Sequence, residues 1–172
     1  MQNIKAELLS LLFIILSLVG LLFKDIIPYN LVTAMFIHGS LNHFTSNMMI
    51  FLMLSPAVEK YYGKIDYIVV FLYTAILEYI FHEYIFNVHA IGMSGFIFAL
   101  FMLNSFISNK DAKVSICGIL LLIIYGSQEI SEIFKQDGIS HAGHLLGLFT
   151  GLTYAWFYTH INKRFKGDAN DI

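Results

Sequence analysis

The chain has 172 residues, 58% of them hydrophobic and only 13% charged, with a mean hydropathy of +0.71. A soluble domain carries roughly 25% charged residues, so this composition excludes an ordinary water-solvated fold and places the chain in lipid. The net charge of −2 offers none of the basic surface that nucleic acid requires, and the single cysteine, Cys117, excludes an intrachain disulfide.

Six apolar segments are predicted to cross a bilayer, since a helical span takes about 17–25 mostly apolar residues. The first covers residues 8–23 and ends at Lys24, Asp25 and the turn at Pro28. It lacks a small-residue cleavage signature, so it reads as a retained span rather than a signal peptide. The second runs from Leu41 to about Val58, the third from Ile65 to Phe81, and the fourth from Ile91 to Ser108, where Asn109, Lys110 and Asp111 stop it. The fifth, Val114 to Tyr125, is short and is expected to continue through residues 127–134 as an amphipathic end; with Gln128, Glu129 and Glu132 at its outer end it reads either as a mobile gate or as a solvated helix end. The sixth runs from Gly143 to His160, with Asn162, Lys163 and Arg164 behind it. No linker and no internal repeat divides the chain. The expectation is an all-α membrane protein, residues 1–172 forming one six-helix transmembrane domain.

Cytoplasmic loops are enriched in Lys and Arg. With the N-terminus inside, Lys5, Lys60, Lys64, Lys110, Lys113, Lys163, Arg164 and Lys166 are cytoplasmic, leaving only Lys24 and Lys135 outside. This bias predicts a multi-pass cell-membrane protein with both termini in the cytoplasm. It also puts three polar clusters, residues 38–47, 89–95 and 139–144, at the outer ends of the second, fourth and sixth spans. Ionisable groups in a membrane are costly and face a bundle interior or a watery cavity. A single outward-opening polar pocket follows, holding His38, His43, His82, His89, His141 and His144, with His160 at the inner end.

Within that pocket, Ser94 lies among small residues at the mouth of the fourth span, next to Gly92 and Gly95. His144, Gly147 and Gly151 share one face of the sixth, at i, i+3 and i+7. Gly143, Gly147 and Gly151 also repeat every four residues, the small-residue spacing that lets membrane helices approach closely, and Gly95 and Ala99 repeat it on the fourth. Packed together, those faces bring the His144 imidazole to the Ser94 hydroxyl. His43 and Asn47, at i and i+4 on the second span, add donors suited to an oxyanion. Each feature also has a plainer reading: glycines for helix packing, and His43 and Asn47 as ties between helices.

In chain order, H-x4-H-x3-N (His38, His43, Asn47), G-x-S-G (Gly92 to Gly95) and A-G-H-x2-G-x3-G (Ala142 to Gly151) resemble the rhomboid family of intramembrane serine proteases. Residues 57–63, AVEKYYG, add to the likeness. The resemblance implies a Ser–His dyad with no third acidic member: Ser94 as nucleophile and His144 as general base, then acid. His43, Asn47 and the Ser94 backbone N–H would stabilise the oxyanion. Gly92 and Gly95 would permit tight approach around Ser94, and Phe98 would stack on His144. His141 is the competing base, but it is out of phase with Gly147 and Gly151. The stretch from Lys24 to Ser40 departs from the family, being short and lacking a Trp-Arg pair.

The implied partners are membrane-protein substrates with a transmembrane segment, within the lipid bilayer, and no cofactor or metal is called for. Two other readings stand beside the protease: a catalytically silent rhomboid-like binder of membrane helices, and a metal or haem protein built on His38, His43, His141 and His144.

Overall fold

Leu22, Met53, Ile65 and Ile123 are all more than half exposed on the outer faces of their helices, while Ser10, Ser55, Glu59 and Thr150 are buried between them. That distribution of apolar and polar groups suits a lipid solvent. The structure, a computed structural model, describes residues 7–107, 116–135 and 139–167, in which no strand occurs. The helices are α1 (Leu8–Leu22), the short α2 (Thr33–Phe36), α3 (Leu41–Tyr62), α4 (Lys64–Ile80), α5 (Ser94–Ile107), α6 (Ile116–Glu132) and α7 (His141–Gly167). A π-helical turn, Phe81–Phe86, extends α4. Among the described residues, length and apolarity single out Lys64–Phe86, 23 residues, as a membrane span; α1 and α5 are apolar but shorter.

The six longer helices fall on the six predicted segments, with shifted ends that have local causes. α3 continues past Val58 and stops at Gly63, whose φ of +87° breaks the helix while its N–H still bonds the Glu59 carbonyl at 2.9 Å. α5 starts at Ser94 rather than Ile91, because Gly92 adopts a φ of +109°. α7 starts two residues early, with the Ser140 hydroxyl accepting the Gly143 N–H at 3.1 Å as an N-terminal cap. α6 is continuous to Glu132, so the expected change of character after Tyr125 is not a break. Residues 114 and 115, the Asn109–Asp111 stop, and Lys5, Lys110 and Lys113 lie outside the described residues.

α5 is the central helix. Phe96, Ala99 and Leu100 are fully buried on it. The Phe13, Tyr67 and Phe71 rings surround Phe96 at centroid distances of 6.0, 5.4 and 5.3 Å. The short stretch after α1 also reaches this core: Ala34, Met35, Phe36 and Ile37 are buried, and the Ala34 carbonyl accepts the Gly92 N–H at 2.9 Å. α2 thereby fixes the backbone just ahead of Ser94.

Glu59, in the AVEKYYG stretch, ties α3 to α1. Its carboxylate accepts the Leu9 N–H at 3.0 Å, the Ser10 N–H at 2.8 Å and the Ser10 hydroxyl at 2.7 Å. These backbone donors belong to the first turn of α1 and have no intrahelical partner, so a buried carboxylate from another helix caps them. Removing it strands the Leu9 and Ser10 N–H groups in an apolar layer and leaves the Ser10 hydroxyl with Ser55 Oγ alone, at 2.7 Å. Glu59→Ala is expected to cost about 2–4 kcal/mol, seen as a lower thermal midpoint in detergent; an unchanged midpoint would contradict the capping role.

Candidate active site

The site begins with backbone contact between α5 and α7. A Cβ on Gly147 would overlap the Gly95 carbonyl, and one on Gly151 would lie 2.5 Å from the Ala99 carbonyl and 2.8 Å from the Met102 Cβ. On the partner helix, a Cβ on Gly95 would overlap the Glu78 carboxyl and lie 2.9 Å from the Gly143 carbonyl. Only glycine fits at these three points. The small-residue faces read from the sequence therefore pack on each other and carry Ser94 and His144, on the first turns of α5 and α7, into one region.

Opposite Ser94 stands the first part of α3. A Cβ on Gly92 would lie 2.6 Å from His43 Cε1, 2.7 Å from its Nε2 and 3.5 Å from Asn47 Nδ2. Gly92 is required twice over, by its positive φ and by the two side chains pressed against it. Asn47 is 7% exposed, and its Nδ2 has no hydrogen-bond partner among the described residues. A buried amide donor without a partner costs roughly 1–3 kcal/mol, so one held beside the Ser94 turn is a donor awaiting an acceptor. The Ser94 and Gly95 N–H groups, at the start of α5, likewise have no intrahelical acceptor. His38, fully buried, donates from Nδ1 to the Phe36 carbonyl at 2.9 Å and meets the His43 ring edge-on at 5.1 Å.

His144 is 9% exposed and stacks on Phe98, with centroids 4.2 Å apart and planes at 12°. The expected aromatic neighbour is in place. Beyond it, α6 supplies something not expected: Glu129, 6% exposed, whose Oε2 lies 2.6 Å from His141 Nδ1 and 3.0 Å from His144 Nδ1. The His141 contact is a hydrogen bond; the His144 contact is closer to an ion pair, out of line for donation by the ring. An acidic residue therefore stands beside the histidine, contrary to the reading that none does. His141, 4% exposed beside Glu129 and Glu132, is buried like His144.

Glu129, His141 and His144 lie close enough together to resemble a metal set, a different set from the four histidines considered above. Ligands on a tetrahedral ion with bonds near 2.0 Å sit about 3.3 Å apart. The 2.6 Å contact between Glu129 and His141 is shorter, as befits a hydrogen-bonded pair. Next to Phe98, an apolar cavity of about 270 Å³ opens between α3, α5 and α6, lined by Ile50, Met53, Leu54, Ile97, Phe101 and Tyr125.

A family model for the rhomboid domain matches residues 27–161. The chain belongs to the rhomboid family. It is 29% identical over 136 residues to a protein named as a rhomboid in Acanthamoeba polyphaga mimivirus, covering 76% of this chain and 74% of that one. It is 27% identical over 153 residues to rhomboid-like protein 15 of Arabidopsis thaliana, covering 74% of this chain and 36% of the plant protein. The match spans about a third of the plant relative's length. A rhomboid domain makes this a membrane protein.

Two residues of this rhomboid site escaped the sequence reading. Ser140 caps α7 and takes a 2.5 Å contact from His82 Nε2, which fixes the start of the helix that carries His144. Glu129 stands in the sequence at the end of a segment that reads as a mobile gate or as a solvated helix end. The signal for it was present: Leu122, Tyr125, Glu129 and Glu132 recur at helical spacing on one face of α6, and Tyr125 packs on Phe101 at 5.7 Å. Glu78, late in the third predicted span, is buried behind Gly95.

Gly147→Ala drives a methyl group into the Gly95 carbonyl and forces α5 and α7 apart. It is expected to lower the thermal midpoint in detergent, whereas Gly39→Ala, with only the Ile91 side chain nearby at 3.6 Å, leaves it intact. Equal behaviour of the two variants would count against the close approach.

Proposed function

We propose that this rhomboid is an intramembrane serine endopeptidase that hydrolyses peptide bonds in or near the transmembrane segments of other membrane proteins. The observation that carries the reading is what surrounds the first turn of α5: Gly92, two residues before Ser94, is pressed against His43 and Asn47, whose Nδ2 is buried without a partner among the described residues, and His144 stacks on Phe98, one turn after Ser94.

The chemistry is acyl transfer. Ser94 Oγ attacks the carbonyl carbon of the scissile bond while His144 Nε2 accepts its proton. The carbonyl oxygen becomes an oxyanion, which accepts hydrogen bonds from Asn47 Nδ2, His43 Nε2–H and the Ser94 N–H; such donors are worth about 10²–10³ in rate each. Collapse of the tetrahedral intermediate breaks the C–N bond, and His144 returns the proton to the leaving amine. Water then attacks the acyl-enzyme, again giving a proton to His144, and the new carboxylic acid leaves as Ser94 is regenerated.

A rigid substrate helix cannot present a carbonyl to Ser94, because its amides are tied into i to i−4 bonds. Substrates are therefore transmembrane segments with helix-weakening residues, and the apolar cavity beside Phe98 suits one of their side chains. The six helices cross the bilayer with both termini in the cytoplasm, as the Lys and Arg bias requires, and the polar pocket opens to the opposite side.

Reconstituted into liposomes with a reporter carrying a Gly-rich transmembrane segment, the wild type is expected to cut within or beside that segment. Ser94→Ala and His144→Ala lose at least about 10³-fold of the rate, and Asn47→Ala loses about 10²-fold. Cleavage that persists in Ser94→Ala, or a folded wild type that captures such segments without cutting them, would replace the protease with a silent helix binder.

A further inference from the structure

Glu129 does more than fill the end of α6. A carboxylate 6% exposed is costly to hold in an apolar bundle unless it is compensated. Here the compensation is a hydrogen bond from His141 Nδ1 at 2.6 Å, and His144 Nδ1 lies 3.0 Å from the same oxygen without alignment for a hydrogen bond. A neutral imidazole carries one N–H, and the partner of one ring nitrogen decides the state of the other. A carboxylate facing Nδ1 favours the proton there. Nε2 is then left as the unprotonated nitrogen, which is the form a general base needs. Phe98 adds the second restraint by clamping the ring plane at 4.2 Å and 12°.

Resting on the Ser94–His144 reading above, we propose that Glu129 is a positioning residue for His144, holding its imidazole in the Nδ1–H tautomer and stabilising the imidazolium formed during attack. His141 anchors the carboxylate from the other side, with Glu132 3.8 Å from its Nε2. The 3.0 Å contact to His144 is out of line in the resting state. Catalytic hydrogen bonds are often misaligned before substrate binds and tighten afterwards. The site thereby has a third member, carried on a helix that holds none of the family-like motifs. His141, which competes with His144 for the role of base, is instead the group that keeps the carboxylate in place.

The test combines two measurements on the full chain in detergent. The first is the cleavage rate of a transmembrane reporter by the wild type, Glu129→Gln, Glu129→Leu and Glu129→Asp. Glu129→Gln and Glu129→Leu are expected to lower kcat about 10- to 100-fold with KM little changed, and Glu129→Asp to recover part of the loss. The second is the ¹⁵N spectrum of histidine-labelled protein, which reads the His144 tautomer without any cleavage. The wild type is expected to show Nδ1–H, and Glu129→Leu to move toward Nε2–H. Wild-type kcat in folded Glu129→Leu, or an Nε2–H tautomer in the wild type, would overturn the positioning role. The wild-type spectrum decides even where Glu129→Leu does not fold. Failure of the protease reading looks different: no cleavage by a wild type whose His144 still carries its proton on Nδ1.

Discussion

The site depends on two helices meeting with no side chain between them. Gly147 rests on the Gly95 carbonyl and Gly151 on that of Ala99, so the α5–α7 distance is set by backbone rather than by deformable side chains. Lipid gives helices little hydrophobic reason to associate, and small residues that allow close packing supply the attraction instead. The same contact underlies the proposed chemistry. It holds the first turns of α5 and α7, which carry Ser94 and His144, in one region, and Phe98, next to Gly147, stacks on the imidazole.

Around that contact the polar groups are distributed by cost. Those with structural duties are satisfied: Glu59 caps α1, Ser140 caps α7, and Thr74 and Thr150 bond one another at 2.8 Å. Around the Gly92 turn, Asn47 Nδ2 and His38 Nε2 are buried without partners among the described residues. Leaving donors or acceptors unmet in lipid is unfavourable, and such exceptions gather where a ligand or reacting group completes them. Ser17 Oγ in α1 and Glu78 Oε1 in α4 are also buried without partners among the described residues, so it is the placement of Asn47 against the Gly92 turn, rather than the lack of a partner alone, that supports the proposed oxyanion role.

Much of this was legible in the sequence, for definite reasons. Gly143, Gly147 and Gly151 have a spacing with one main use in a membrane helix, and the phase of His144 with the last two follows from it. Phe98 lies one helical turn from Ser94, and its stacking on His144 was implied by the family resemblance. Other features were not legible, because they depend on how helices sit against each other. Glu129 looked like a solvated residue near Gln128 and Lys135; only the packing of the Tyr125 face onto α5 and α7 buries it. The stretch from Lys24 to Ser40 looked like a plain short connection, yet Phe36 reaches the core because Gly20 leaves room for its backbone. The start of α5 at Ser94 was missed because apolar periodicity does not reveal a glycine with positive φ.

The most direct measurement of Ser94 as an activated nucleophile is fluorophosphonate labelling of the folded protein in detergent, with the modified residue located by mass spectrometry. A single adduct on Ser94, lost in His144→Ala and kept in His141→Ala, is the expected result. A folded wild type that takes no label, or an adduct on another serine that survives Ser94→Ala, would contradict a catalytic pair at the α5–α7 contact.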